Sequence, residues 1–294
     1  MFDILIIGAG PAGMSAAIYA KRAGLSVAVF EGEMYGGQMI LTPDVENYPG
    51  IAKISGAELA YTMSEQMRAL GAEIIDAKVE SVAECDGGYK VVADREYLGK
   101  TVIIANGAKR RKIGAKGEEE YIGRGVSYCA VCDGMFFKGK TVCVVGGGRT
   151  ALEDALYLSR ICEKVYIIHR RNEFRVKGVL KDGVTSQENI EIIYSANVKE
   201  IVGDAKVNSV VLDNGRVVET SAVFVAIGLV PENEIFEGLL ELEDGYIKAG
   251  DDTHTSKKGI FAAGDTRTKT LRQIVTAASD GAMAATEAEK YICG

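Results

Sequence analysis

Tryptophan is absent from this chain of 294 residues, proline occurs four times and histidine twice. With only His169 and His254 to offer, the chain has too few imidazoles for a histidine-built metal centre, and no metal is expected. Lysine and arginine (34) are outnumbered by aspartate and glutamate (41), for a net charge of -7. No basic surface follows from that balance, and a nucleic-acid partner is not expected. No apolar run approaches the ~20 residues that span a bilayer. The opening "MFDILIIGAG" has neither the basic n-region nor the cleavage site of a secretory leader, so a cytosolic chain is expected. In such a reducing compartment six cysteines make a poor structural disulfide set, and catalytic or metal roles gain weight. At 47% hydrophobic and 26% charged, the chain reads as globular, with length for two domains.

Glycine, by contrast, is plentiful at 35 residues. In "DILIIGAGPAGMSAAIYAKRAGLSVAVFE" the run Ile4 to Ile7 predicts a strand buried on both faces. Gly8, Gly10 and Gly13 then fit G-x-G-x-x-G: a tight turn, close approach to a pyrophosphate, and close helix packing. A helix from Ala12 to Ala23 presents its N-terminal amides to the phosphates. The second strand ends at Glu31, placed to accept a hydrogen bond from a ribose hydroxyl.

The plan recurs in "KTVCVVGGGRTALEDALYLSRICEKVYIIHRR". Thr141 to Val145 is a strand, and Gly146, Gly148 and Ala151 match the three glycines, alanine being allowed at the third place. Glu31 lies 23 positions after Gly8, and the position 23 after Gly146 is His169, followed by Arg170 and Arg171. Cationic groups replace the ribose acid there, with Arg175 four residues on, and guanidinium pairs with a 2'-phosphate through paired hydrogen bonds. The expected ligand is NADPH. Two nucleotide sites on one chain suggest a relay from NADPH to a flavin, with FAD at the first site. "GIFAAGDTR" near the C-terminus adds a strand and a tight end where Asp265 is placed to bond a flavin's ribityl or phosphate part.

"SYCAVCDGMFFKGK" holds Cys129 and Cys132. A zinc clip needs about four ligands, and no second close cysteine pair exists. A structural bridge between near neighbours closes only a small loop. A redox dithiol is the best remaining reading, with Asp133 either placed to pass a proton or acting as a turn or cap residue before Gly134. Cys85, Cys143, Cys162 and Cys293 are scattered and read as structural or incidental.

At this point the chain resembles the low-molecular-weight thioredoxin reductases over nearly its whole length. The resemblance is carried by "GAGPAG", Glu31, "GGQ" at 36–38, "VENYPG" at 45–50, "CAVCDG", "GGGRTALEDA", "HRRNEFR", "AIGLVPE", "GIFAAGDTR" and "RQI". It implies that Cys132 lies against the flavin, that Cys129 attacks the partner disulfide, and that Asp133 is the acid/base. It also implies FAD contacts from Gln38, Asn47, Asp265 and Gln273, and a 2'-phosphate held by Arg170, Arg171 and Arg175. Thioredoxin or a similar small dithiol protein is the implied acceptor, and a homodimer the implied assembly. Two positions depart from the family's usual pattern: Arg149 in the second glycine loop, and Asn106 in "ANG", where it is expected to suit the turn's backbone. A relative fed by ferredoxin, or a flavin redox sensor without turnover, would carry the same electron-transfer residues, although retention of "HRRNEFR" favours NADPH.

The predicted fold is α/β, with two Rossmann-like, doubly wound dinucleotide-binding domains, each with an antiparallel β appendage. The FAD domain is discontinuous, at 1–109 and 231–294, around an NADPH and C-x-x-C domain at 110–230. Cys132 precedes Gly146 by only 14 residues, so the dithiol shares the NADPH domain. Nicotinamide and disulfide both need the flavin, and domain rotation about hinges near Lys109–Lys112 and Gly228–Pro231 is expected.

Overall fold

A computed structural model describes residues 1–294. The chain opens with β1 (Phe2–Ile7), in which Ile4, Leu5 and Ile6 are fully buried. α1 (Pro11–Arg22) begins at a proline, which costs the helix no hydrogen bond at its first position. β2 (Val27–Phe30), α2 (Gly56–Ala69) and β3 (Glu73–Ile75) follow. Ser55 caps α2 by accepting from the Glu58 amide at 3.1 Å. An antiparallel meander then runs through β4 (Ser81–Cys85), β5 (Gly88–Val92) and β6 (Glu96–Ile104).

The chain leaves this unit through β7 (Lys109–Arg110). There follow β8 (Val126–Ser127), α3 (Ala130–Asp133), β9 (Thr141–Val145), α4 (Arg149–Ser159) and β10 (Lys164–His169). Next come α5 (Val179–Thr185), β11 (Ile190–Tyr194) and the antiparallel β12 (Val198–Gly203), β13 (Val207–Leu212) and β14 (Val217–Glu219). β15 (Ala222–Val225) precedes the return through β16 (Leu229–Val230), which pairs with β7. β17 (Leu242–Glu243), β18 (Tyr246–Ile247), β19 (Ile260–Ala262) and α6 (Ile274–Cys293) complete the chain. Two compact units result: Met1–Lys109 with Val230–Gly294, and Arg110–Leu229.

The first unit's sheet has the order β3-β2-β1-β6-β5-β4, with β19 also on β6. β1 is parallel to both neighbours, Ile4 facing Val27 and Thr101. Its alternation sorts two cores. Ile4 and Ile6 join alanines of α1 and α6, while Leu5 and Ile7 join Phe30, Tyr97 and Phe236. Burying each of these large side chains contributes about 1.5–3 kcal/mol. Small residues let α1 and α6 approach closely, since a side-chain carbon added at Gly281 would lie 2.0 Å from the Ala12 carbonyl oxygen.

The second unit's sheet, β11-β10-β9-β15-β8, is parallel throughout. In β9, Val142 and Val144 pack toward Leu152 and Leu158 of α4, while Cys143 and Val145 pack toward the three-stranded appendage. No helix is long and apolar enough to cross a membrane.

Candidate active site

Both sheets end in a glycine cradle. In the first unit, Gly8 takes φ +101°, and a side-chain carbon there would meet the Ala105 oxygen at 2.5 Å. A carbon at Gly13 would fall 1.8 Å from the Gly8 oxygen, whereas Gly10 opens onto space with nothing within 4 Å. α1 has no side-chain cap at Gly10 and no acid in its first turn. Its first amides therefore face open space with the helix dipole behind them, an arrangement suited to phosphate. Glu31 follows β2 directly. Its carboxylate accepts from the Ala9 amide at 2.8 Å and the Glu33 amide at 2.9 Å, which fixes it beside the cradle with lone pairs to spare.

The remaining first-unit candidates gather around that cradle. Gln38 sits on the turn Gly37–Leu41, which is tied to the cradle by a 2.8 Å bond from the Gly36 amide to the Ala9 oxygen. Asn47 donates to the Gln273 side chain at 3.0 Å, joining residues 226 positions apart. Gln273 itself caps α6 through a reciprocal box with Thr276. Asp265 lies in the turn Gly264–Thr266, which is held by the Asp280 carboxylate accepting from the Gly264 amide at 2.9 Å. Asp280 also accepts from Arg267 and Lys269, each at 2.8 Å. Burial alone would raise the Asp280 carboxyl, but these two cations outweigh it and hold it below the ordinary aspartate range.

Asn106 does something other than expected. The left-handed turn belongs to Gly107, at φ +69°. The Asn106 amide instead donates to the Glu232 oxygen at 2.9 Å and to Asn233 Oδ1 at 3.1 Å. Its own Oδ1 is buried with no hydrogen-bond partner, next to the Gly8 turn. A buried acceptor at a nucleotide cradle fits a donor supplied by a ligand.

In the second unit, Gly146 takes φ +152° against the Ala226 oxygen, and Gly148 again opens onto space at the uncapped start of α4. Ala151, the third cradle position, is fully buried. His169 is not a ligand-facing cation. Its ring packs so closely on Gly147 that an added carbon would lie 2.2 Å from it, and Nε2 bonds the Glu173 oxygen at 3.1 Å. Burial, reinforced by the neighbouring arginines, lowers its pKa and keeps it neutral. Arg170, Arg171 and Arg175 are all exposed, and Arg171 and Arg175 line a concavity of about 400 Å³. Arg149 does not fill the cradle. Its side chain is 74% exposed and runs along α4 to Glu153 at 3.5 Å.

Cys129 and Cys132 are joined as a disulfide, both half-buried, across the start of α3. The Cys132 amide points at Cys129 Sγ, 3.2 Å away, a donor that favours the thiolate once the bridge opens. Asp133 accepts from Ser127 Oγ at 2.6 Å. Burial pushes the Cys143 thiol up to about 12 and Cys162 up to about 11, which removes both from thiolate chemistry near neutrality. No group of three or more potential metal ligands occurs. Ser127, Glu118 and Asp280 have no part in the sequence-based site. Isolated serines and acids carry no spacing signal, and only the fold shows Glu118 buried and accepting from Ile113, Gly114 and Tyr128.

A dithiol in the same unit as one nucleotide cradle, with a second cradle elsewhere in the chain, is the equipment of a flavin-type disulfide oxidoreductase. Residues 2–281 match one such family, and the chain belongs to it: the pyridine nucleotide-disulphide oxidoreductases. Within that family it is similar over nearly its full length to thioredoxin reductases. It is 46% identical to that of Bacillus subtilis (strain 168) over 302 residues, 99% of this chain and 95% of that protein. The thioredoxin reductase structure from Streptococcus pyogenes MGAS5005 superposes with a TM-score of 0.94 at 44% identity, covering 99% of this chain and 98% of that one. The one from Giardia duodenalis gives 0.95 at 40% identity, covering 100% and 99%.

Proposed function

We propose that the chain is a thioredoxin-disulfide reductase, drawing on NADPH through FAD and the Cys129–Cys132 pair. The observation that carries this is the disulfide at the head of α3, flanked by Asp133, in the unit that also holds the three-arginine cradle. Gly8, Gly10, Gly13, Glu31, Gln38, Asn47, Asp265 and Gln273 are the FAD residues in this reading. Gly146, Gly148, Ala151, Arg170, Arg171 and Arg175 are the NADPH residues. FAD, when bound, supplies the two-electron relay between pyridine nucleotide and disulfide.

The protein's own groups do the rest. The uncapped starts of α1 and α4 hold pyrophosphates, and Glu31 and the arginines discriminate the two riboses. Cys129 is the attacking thiol, its thiolate favoured by the Cys132 amide; Cys132 resolves the mixed disulfide, and Asp133 exchanges protons with the thiols. Val131, Met135 and Phe136, within a few residues of the pair in sequence, are exposed apolar side chains, which suits a small protein partner rather than a small molecule. Because disulfide and nicotinamide must each meet the flavin, the paired crossings β7 and β16 act as hinges. A homodimer in the cytoplasm completes the proposal; four cysteines left as thiols fit a reducing compartment.

Anaerobic titration tests it. NADPH should bleach the flavin promptly, reduced ferredoxin should offer no advantage, and thioredoxin should restore the colour. A flavin that ignores NADPH, or a Cys129→Ser, Cys132→Ser protein that still reduces thioredoxin, would overturn the assignment.

A further inference from the structure

Ser127 ends β8 and is 5% exposed. Its Oγ accepts from the Cys129 amide at 3.1 Å and donates to Asp133 Oδ2 at 2.6 Å. A hydroxyl has one proton to give. The alternative acceptor, the Cys129 carbonyl, lies at 3.4 Å, so the proton goes to Asp133. Asp133 Oδ2 is thereby held as an acceptor, the role a carboxylate fills. One buried side chain therefore grips both the backbone of the attacking cysteine and the carboxylate four residues further along.

We propose that Ser127 is a positioning residue for thiol–disulfide exchange: it stabilises Asp133 as a carboxylate beside Cys129 and so sets the pH range over which Asp133 delivers its proton. The proposal rests on the reading of Asp133 as acid/base. In that reading the Cys129 thiolate attacks one sulfur of the substrate disulfide. The Cys129–substrate bond forms, the substrate bond breaks, and its electron pair leaves on the second substrate sulfur. The Asp133 carboxylic acid passes its proton to that sulfur and becomes the carboxylate that Ser127 bonds. The Cys132 thiolate then attacks Cys129 Sγ, re-forming the bridge and expelling the first substrate sulfur, which takes a proton from water.

Other ionisable groups lie near the pair. Cys129 and Cys132 share its segment, Lys138 follows on the next turn, and Lys140 stands over the Phe137 ring at 5.9 Å. Tyr128 donates to Glu118 at 2.8 Å and lies under the Arg110 guanidinium at 5.1 Å. From α4, which packs against α3, comes Tyr157, facing Gly134, and the same helix carries Asp154. The Asp154 carboxyl is pushed up to about 7 by burial, with a contribution from Glu153, so it needs a variant of its own.

The test uses flavin-loaded enzyme reduced beforehand with NADPH and mixed with thioredoxin disulfide in a stopped-flow pH series. The rate falls on the alkaline side as Asp133 loses its proton. In Ser127→Ala that limb should move up by about one pH unit, the effect of removing a hydrogen bond to a charged group. Ser127→Gly, a second hydroxyl-free variant, should show the same displacement should the alanine protein not fold, and Ser127→Thr should restore the wild-type limb. Asp154→Asn should leave the limb in place, and Asp133→Asn should abolish it. A Ser127→Ala rate lowered equally at every pH, or a limb that vanishes with Asp154→Asn, overturns the proposal while the acid/base reading stands. An Asp133→Asn enzyme with the rate and limb of the wild type overturns that reading, and the role of Ser127 with it.

Discussion

Arg170, Arg171 and Arg175 share a short loop yet none is neutralised by a hydrogen-bonded acid, and their charges stay available to a phosphate. Removing one guanidinium–phosphate contact costs about 1.5–3 kcal/mol, or roughly tenfold or more in affinity. Arg170→Ala or Arg175→Ala should therefore raise KM for NADPH by about tenfold and leave KM for NADH nearly unchanged, read by initial rates with each nucleotide. His169 contributes differently, by shape. Because its ring lies against Gly147, Gly147→Ala should displace the end of β10 and weaken both nucleotides together. At this scale the sequence was partly legible. Cradle glycines are forced by backbone geometry, so spacing alone finds them. Whether His169 or Asn106 faces a ligand depends on neighbours distant in sequence, Gly147 and Asn233, and no local pattern reports that.

Among the elements, β1, β9 and their following helices were readable because runs of buried aliphatics and glycine spacing coincide there. α4 carries one feature its pattern conceals. Asp154 lies on a helix whose neighbouring positions Leu152, Ala155 and Leu158 are fully buried, and its pKa is raised to about 7. A carboxyl whose folded pKa exceeds its unfolded value contributes stability fully below the unfolded value and loses it as pH rises through the folded one. The second unit should accordingly lose stability from about pH 4 to about pH 7. Asp154→Asn should flatten that slope, with Tm at mildly alkaline pH raised by about 2–4 °C and the gain absent in acid, as followed by calorimetry. Asp280 on α6 has the opposite sign. Its folded pKa is depressed, so its contribution holds at neutrality and is lost as pH falls below the ordinary aspartate range. Asp280→Ala leaves Arg267 and Lys269 buried together and should destabilise the first unit by about 3–5 kcal/mol and loosen FAD.

For the whole molecule, the residues proposed for FAD fall in one unit and those proposed for NADPH and the dithiol in the other, and the chain passes between the units only at β7 and β16. Glu31, Gln38, Asn47, Asp265 and Gln273 all belong to the first unit; the arginines, Cys129, Cys132, Ser127 and Asp133 all belong to the second. Lesions should therefore separate into two half-reactions. A Cys129→Ser, Cys132→Ser enzyme should keep its flavin and bleach with NADPH at close to the wild-type rate, yet pass nothing to thioredoxin. An Arg170→Ala, Arg175→Ala enzyme should bleach slowly with NADPH but, once reduced by dithionite, should reduce thioredoxin as fast as the wild type. The double lesion should show both defects without new ones, because the altered groups share no hydrogen-bond partner. Stopped-flow absorbance at the flavin band reads each half separately. Should the cysteine variant bleach far more slowly than the wild type, hydride delivery would depend on the dithiol, and the independence of the two halves would be lost.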